Sequence, residues 1–479
     1  MTVVLGIDSS TQSTKVLAVD ADSGRILGQA RAAHPDGTEV DPDRWWAACN
    51  QAMAEVVDGL SEPVAAISVA GQQHGMVTVD SAGESVRPAL LWNDTRSAPQ
   101  AAELVSADGP EAWARRTGLV PVASFTVTKL AWLSAHEPDN ADRVDSVLLP
   151  HDWLTWRLAG GGTAEACTDR GDASGTGYFS GRDGVWLPEV LGEAFGGRRP
   201  RLPRVLGPVE TAGRGPGGAI LGAGTGDNMA AGLGLAAGPG DVVISLGTSG
   251  TVFAVTEDAT EDPTGIVAGF CDATGRFLPL VCTLNAARVL TAAAAMLDTD
   301  LAGLDELALR AEPGAGGLTL LPYLDGERTP NLPDATGTLL GLRRDNMTPE
   351  NLARAAVEGM LCGLAEGLVA LRDLGVAVRR VLLVGGAARS AAVQKVAPEL
   401  FGVPVEVPEP GEYVALGAAR QAAWALAGGE HPPAWPVESV RFEAEGGSGS
   451  AVWEAHAQAR QTVHGRIQST DGSTGTADR

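Results

Sequence analysis

The chain has 479 residues, is 44% hydrophobic and carries a formal net charge of −24. That length predicts two domains rather than one core, and that acidity speaks against nucleic acid or an anionic membrane as a partner. Five scattered cysteines with no CxxC or CxxH pair support neither a zinc site nor a disulfide framework, and they fit reduced thiols in a cytoplasmic protein.

The N-terminus enters a strand at once, with no secretory pattern ahead of it, and no apolar run is long enough to span a bilayer. The stretch VVLGIDSSTQSTKVLAVD from Val3 predicts strands over 3–7 and 15–19 joined by a polar turn. Asp8 ends an apolar strand, a costly place for a carboxylate without a pairing group or a cation. The turn's N–H groups and hydroxyls suit phosphate oxygens, although in a single turn such residues more often only make the turn. Lys15 fits a nearby phosphate or lies solvated.

Residues 25–32 predict a third strand. DPDRWWAACNQAMAEVVDGL predicts a helix capped by Asp41, with Pro42 in its first turn. PVAAISVAGQQHGMVTVD reads as strand, glycine-rich turn, strand, leaving Gln73 and His74 at a strand end, where they suit hydrogen bonding to a ligand. LLWNDTRS brings Trp92, Asn93, Asp94 and Arg96 together. A tryptophan with carboxylate and amide neighbours suits a polyhydroxylated ligand, and a turn with an Asp94–Arg96 salt bridge explains the same residues. Helical patterns over 98–133 complete an α/β alternation.

GAGTGDNMAAGLGLAAG from Gly222 misses the G-x-G-x-x-G register, and the chain has no G-x-x-x-x-G-K-[ST] P-loop. A nicotinamide-dependent oxidoreductase therefore has no support. Asp227, among glycines, can be approached closely and could take a proton from a hydroxyl; equally, Asp227 and Asn228 could cap a helix from Met229.

From Asp241, DVVISLGTSGTVFAVTED repeats the opening pattern of strand, Gly/Ser/Thr turn, strand. This predicts an internal repeat, with two α/β domains whose polar turns face a shared cleft. LLPYLDGERTPNLPDATGTLLGL predicts a long structured loop. VRRVLLVGGAARSAAVQKVAPELFGVPVEVP reads as a βαβ unit whose Gly-Gly turn admits a nucleotide base and ribose. Helices are expected over 414–426 and 452–463, and the tail STDGSTGTADR has the composition of a disordered end.

In this order, GIDSSTQSTK, GQQHG, WNDTR, TDRGDASGTGYF, GTGDN, SLGTSG, LLPYLDGERTP and VGGAARS resemble the FGGY carbohydrate kinases, and among them the xylulokinases, over about residues 1–430. The resemblance implies an α/β fold of two ribonuclease-H-like domains, of actin/hexokinase ATPase type, around a central cleft. It implies an N-terminal domain over 1–235, a C-terminal domain over 236–430 and an extension over 431–479. ATP and Mg²⁺ are the implied cofactors, and a ketopentose, D-xylulose first, is the implied acceptor.

By the same resemblance Asp8 lies on the metal side of the phosphates, through water, and Thr11, Ser13 and Lys15 line the phosphate end. Gly247 and Thr248 belong to the second phosphate loop, and Gly385, Gly386 and Arg389 to the adenosine motif. Asp227 is the implied general base and Asn228 a sugar ligand. Where xylulokinases commonly carry Met-His, this chain has Gln73-His74, which leaves the histidine's role but loosens the identity of the sugar. Trp92 and Asp94 complete the expected substrate set. The resemblance allows a homodimer. Rival readings are a kinase of the same family for ribulose, erythritol or gluconate, which needs only a few changed contacts, and a chaperone- or actin-type ATPase without a sugar pocket.

Overall fold

The computed structural model describes residues 1–162 and 164–465. The expected disorder of the tail lies outside the described residues. Two compact units emerge, the first made of Met1–Pro239, Val255–Pro279 and Gly411–Val437, and the second of Gly240–Ala254, Leu280–Pro410 and the segment from Glu438. The helix Tyr413–Ala427 packs within the first unit.

In the first unit the strand Val3–Ser9 is buried along its whole length. It pairs antiparallel with Ser13–Asp20 and parallel with Val64–Gly71. The sheet runs Thr211–Arg214, Ile220–Gly222, Val64–Gly71, Val3–Ser9, Ser13–Asp20, Ile26–Ala33, with Thr225–Gly226 also beside Val64–Gly71. Alternation sorts the side chains to two faces. Val3, Leu5, Ile7, Val16 and Ala18 pack with Trp45 and Cys49 of helix Pro42–Asp58 and with Trp153 and Leu154. Val4, Leu17 and Val19 pack with Ala415, Ala419 and Ala422 of helix Tyr413–Ala427. Being covered on both faces explains the unbroken apolar run at the start of the chain. Each fully buried Leu or Ile contributes about 1.5–3 kcal/mol.

That second face is built for close approach. A Cβ on Gly6 would lie 1.9 Å from the Ala415 carbonyl oxygen, and one on Gly417 would lie 1.8 Å from that of Ala230. Helix Tyr413–Ala427 therefore presses backbone to backbone on both the first strand and the helix Asp227–Gly234. This fixes where Asp227 stands relative to Asp8.

The second unit repeats the plan. Its strands run Phe277–Thr283, Gly250–Ala254, Asp241–Leu246, Arg380–Val384, Val405–Pro408, Ser439–Phe442. Asp241–Leu246 is antiparallel to Gly250–Ala254 and parallel to Arg380–Val384. The order and directions reproduce those of the first unit, as the internal repeat requires. Helix Pro349–Asp373 supplies much of its core and helix Gly449–His464 covers it further. Among the described residues, no helix is long and apolar enough to cross a membrane.

Candidate active site

In the first unit, the hairpin register places Asp8 opposite Lys15. Lys15 Nζ lies 3.8 Å from Asp8 Oδ2 and 2.5 Å from Glu412 Oε2. The lysine is thus shared with a carboxylate at the start of helix Tyr413–Ala427, a partner the sequence did not reveal. The Ser10 hydroxyl donates to Asp8 Oδ1. Burial raises the Asp8 carboxyl to about 6, against the lowering effects of Ser10 and Lys15. A buried, under-compensated oxygen ligand at a strand end suits a hard divalent cation.

Asp227 opens helix Asp227–Gly234, directly after Thr225–Gly226. Its Oδ1 accepts from the Asn228 backbone N–H at 2.8 Å and from Asn228 Nδ2 at 2.9 Å. Asn228 Nδ2 also donates to Gln73 Oε1 at 3.0 Å. Burial first, then the fields of Asp8 and Asp172, push Asp227 up to about 7. A carboxyl so tuned takes and returns a proton near neutral pH. Gly226 keeps this corner tight, because a Cβ there would lie 2.7 Å from Gln73 Cγ.

His74 stands next to Gln73 with φ +66°, a conformation uncommon outside glycine. Its Nδ1 lies 2.9 Å from the Gly175 carbonyl oxygen, and its ring meets Phe125 edge-on at 5.0 Å. Trp92 is 40% exposed, and its indole N–H donates to Thr11 Oγ1 at 2.8 Å. An exposed indole face with its N–H fixed presents flat apolar surface. Asp94 is buried and engaged otherwise: Arg96 and Thr38 donate to its two oxygens. The salt-bridged turn is thus present. Ser13 is buried within the second strand.

Sequence reasoning missed a second layer. His151 is wholly buried, with Nδ1 2.6 Å from Asp172 Oδ2 and Nε2 3.2 Å from Asp152 Oδ1. Burial opposes its charge, but the two carboxylates outweigh burial and raise it to about 9. These three residues are close enough to hold a metal; His151 Nδ1 already meets Asp172, and burial raises both carboxyls, Asp152 to about 7. Next to them Asp169 caps the short helix Arg170–Ala173 and accepts from Thr225 Oγ1 at 2.7 Å. The TDRGD motif therefore underlies the strand that delivers Asp227.

In the second unit Gly247 and Thr248 lie exposed in the hairpin turn. The Ala287 N–H donates to the Gly247 carbonyl at 2.9 Å, and Arg288 Nε donates to that of Thr248 at 3.2 Å. Gly385 has φ +97°, and a Cβ there would lie 2.6 Å from the Leu246 carbonyl oxygen. Gly386 and Arg389 are exposed in the 3-10 turn that follows. The two glycine-bearing turns of this unit thus stand on neighbouring strand ends, with bare backbone available to a ligand.

The profile of the FGGY family of carbohydrate kinases, N-terminal domain, matches residues 3–244, and that of the C-terminal domain matches residues 242–426. A xylulose kinase of Streptomyces coelicolor is 50% identical over 441 residues, covering 89% of this chain and 88% of its own. A xylulose kinase of Streptomyces rubiginosus is 49% identical over 447 residues, 90% of this chain and 89% of its own. The crystal structure of xylulose kinase from Bifidobacterium adolescentis superposes with a TM-score of 0.88 at 44% identity, covering 96% of this chain and 99% of that one.

Proposed function

The chain belongs to the FGGY family of carbohydrate kinases, and from that we infer that it transfers the γ-phosphoryl group of ATP to the terminal hydroxyl of D-xylulose, giving D-xylulose 5-phosphate. The fold is the actin/hexokinase-type ATPase fold of sugar kinases. The observation that carries the reaction is the Asp227–Asn228–Gln73 cluster, with Asp227 poised at about 7. Asp227 takes the proton of the attacking hydroxyl, and Asn228 holds the carboxylate by its backbone and side-chain N–H groups. Gln73, His74 and Asn228 hydrogen-bond the sugar hydroxyls, and Trp92 offers an apolar face. The choice of D-xylulose is supported by the two relatives near 50% identity, whose names give that sugar.

Asp8, pushed up to about 6 by burial, would hold Mg²⁺ through water. When bound, the ion offsets the negative charge on the transferring phosphates. In the first unit Thr11, Ser13 and Lys15 are the proposed phosphate contacts, and in the second unit Gly247 and Thr248 are. Gly385, Gly386 and Arg389 take the adenosine. The protein works in the cytoplasm, and a homodimer is compatible with this reading.

A coupled ADP-release assay against D-xylulose, D-ribulose, L-ribulose, L-xylulose, glycerol, erythritol and gluconate tests the proposal. The highest kcat/KM is expected with D-xylulose. A higher value with another acceptor would reassign the sugar, and no ADP release above background with any of them would overturn the kinase reading.

A further inference from the structure

We propose that Lys129 is a positioning residue of the sugar site, holding the backbone of His74 and through it the imidazole in the orientation the sugar meets. The proposal rests on the assignment of His74 to the sugar. Lys129 lies in helix Thr126–His136 and is fully buried, at 0% exposure. Its Nζ donates to the His74 carbonyl at 2.8 Å and also to the Ser124 carbonyl. Thr126 Oγ1, from the same first turn, donates to the His74 carbonyl at 3.2 Å. Two donors from one helix end thus converge on one carbonyl, that of the residue with φ +66°.

Such a backbone conformation persists only where the surroundings over-determine it. Here the ring is pinned as well. Its Nδ1 meets the Gly175 carbonyl, a Cβ on Gly175 would lie 2.6 Å from the ring, and Phe125 and Phe270 pack at 5.0 and 5.5 Å. Phe125 is the residue before helix Thr126–His136, so one helix end fixes both the carbonyl and the ring of His74. A wholly buried ammonium is expensive to keep for packing alone. Burial pushes Lys129 down to about 7, with only the field of Asp94 opposing. Asp94 is itself saturated by Arg96 and Thr38.

The test compares steady-state kinetics of wild type, Lys129→Met, His74→Ala and the double variant with D-xylulose and ATP. Losing one of the two hydrogen bonds to the His74 carbonyl predicts a rise in the sugar KM of about fivefold for Lys129→Met, with the ATP KM unchanged. In the double variant the sugar KM should match that of His74→Ala alone, because Lys129 acts through His74. A raised sugar KM in His74→Ala with none in Lys129→Met overturns the proposal and leaves the sugar site standing. Independent, multiplying effects overturn it too. An unchanged sugar KM in His74→Ala overturns the assignment of the sugar site itself, and the proposal with it. If Lys129→Met does not fold, Thr126→Val removes the other donor, and a rise of roughly threefold in the sugar KM alone is expected; no rise there overturns the proposal.

Discussion

The two units are built on one plan and differ in where they put charge. In both, a central strand pairs antiparallel with the next strand and parallel with a later one. Both hairpins turn through three residues, 10–12 in the first and 247–249 in the second. At the pair one step before the turn's edge, the first hairpin sets Asp8 against Lys15, and the second sets Ser245 against Thr251. Beyond the parallel neighbour, the first unit places Gln73 and His74, and the second places Gly385 and Gly386. The same scaffold thus offers titratable side chains in one copy and bare backbone in the other. Side chains suit a metal and a reacting hydroxyl, and backbone suits phosphates and a flat base.

Substitutions break this comparison at chosen points. The largest effect is expected for Asp227→Ala, which should lower kcat by about 10²-fold or more while the protein stays folded by circular dichroism. Asp8→Asn should raise the Mg²⁺ concentration for half-maximal activity by about 10-fold or more, as loss of an outer-sphere carboxylate does. In the second unit, Gly385→Ala puts a Cβ 2.6 Å from the Leu246 carbonyl oxygen in a backbone with φ +97°. It should cost about 1–3 kcal/mol, read as a lowered Tm, and raise the ATP KM. If Asp227 is the proposed base, then, with burial raising it to about 7, kcat/KM for the sugar should fall as pH drops through that value and level off above it; a pH–rate profile checks this. The smallest effect on stability is expected for Lys15→Met. Its pairing with the exposed Glu412 predicts a stability change under about 1 kcal/mol by denaturant titration.

What was legible in the sequence was local. The two hairpins, the first helix and the Gly-Gly βαβ unit are each written in a contiguous run of residues, and the structure has them all. The return of helix Tyr413–Ala427 to the first unit was not legible, because only long-range packing decides it. In the structure, Gly6, Gly417, Ala415 and Ala419 let strand and helices touch backbone to backbone. Of the candidate site, Asp227, Asn228 and Gln73 lie within hydrogen-bonding reach of one another. Of the buried layer of His151, Asp152 and Asp172, only Asp172 stood in a motif, TDRGDASGTGYF, and nothing local in the sequence joins it to the His151–Asp152 pair. Lys129 did leave one. It lies four residues from both Phe125 and Leu133, on the face those two apolar residues mark as buried. A lysine at helical spacing between core residues is a candidate for a buried role.

The central claim is that two carboxylates of the first unit divide the work, Asp8 on the metal side and Asp227 on the hydroxyl. A Mg²⁺ titration of kcat in Asp227→Ala and Asp8→Asn, run side by side with D-xylulose and ATP, tests it directly. Asp227→Ala should lose kcat at every Mg²⁺ concentration without moving the half-saturation point, and Asp8→Asn should move that point upward. Near-normal kcat in Asp227→Ala, or an unmoved half-saturation point in Asp8→Asn, would contradict the account.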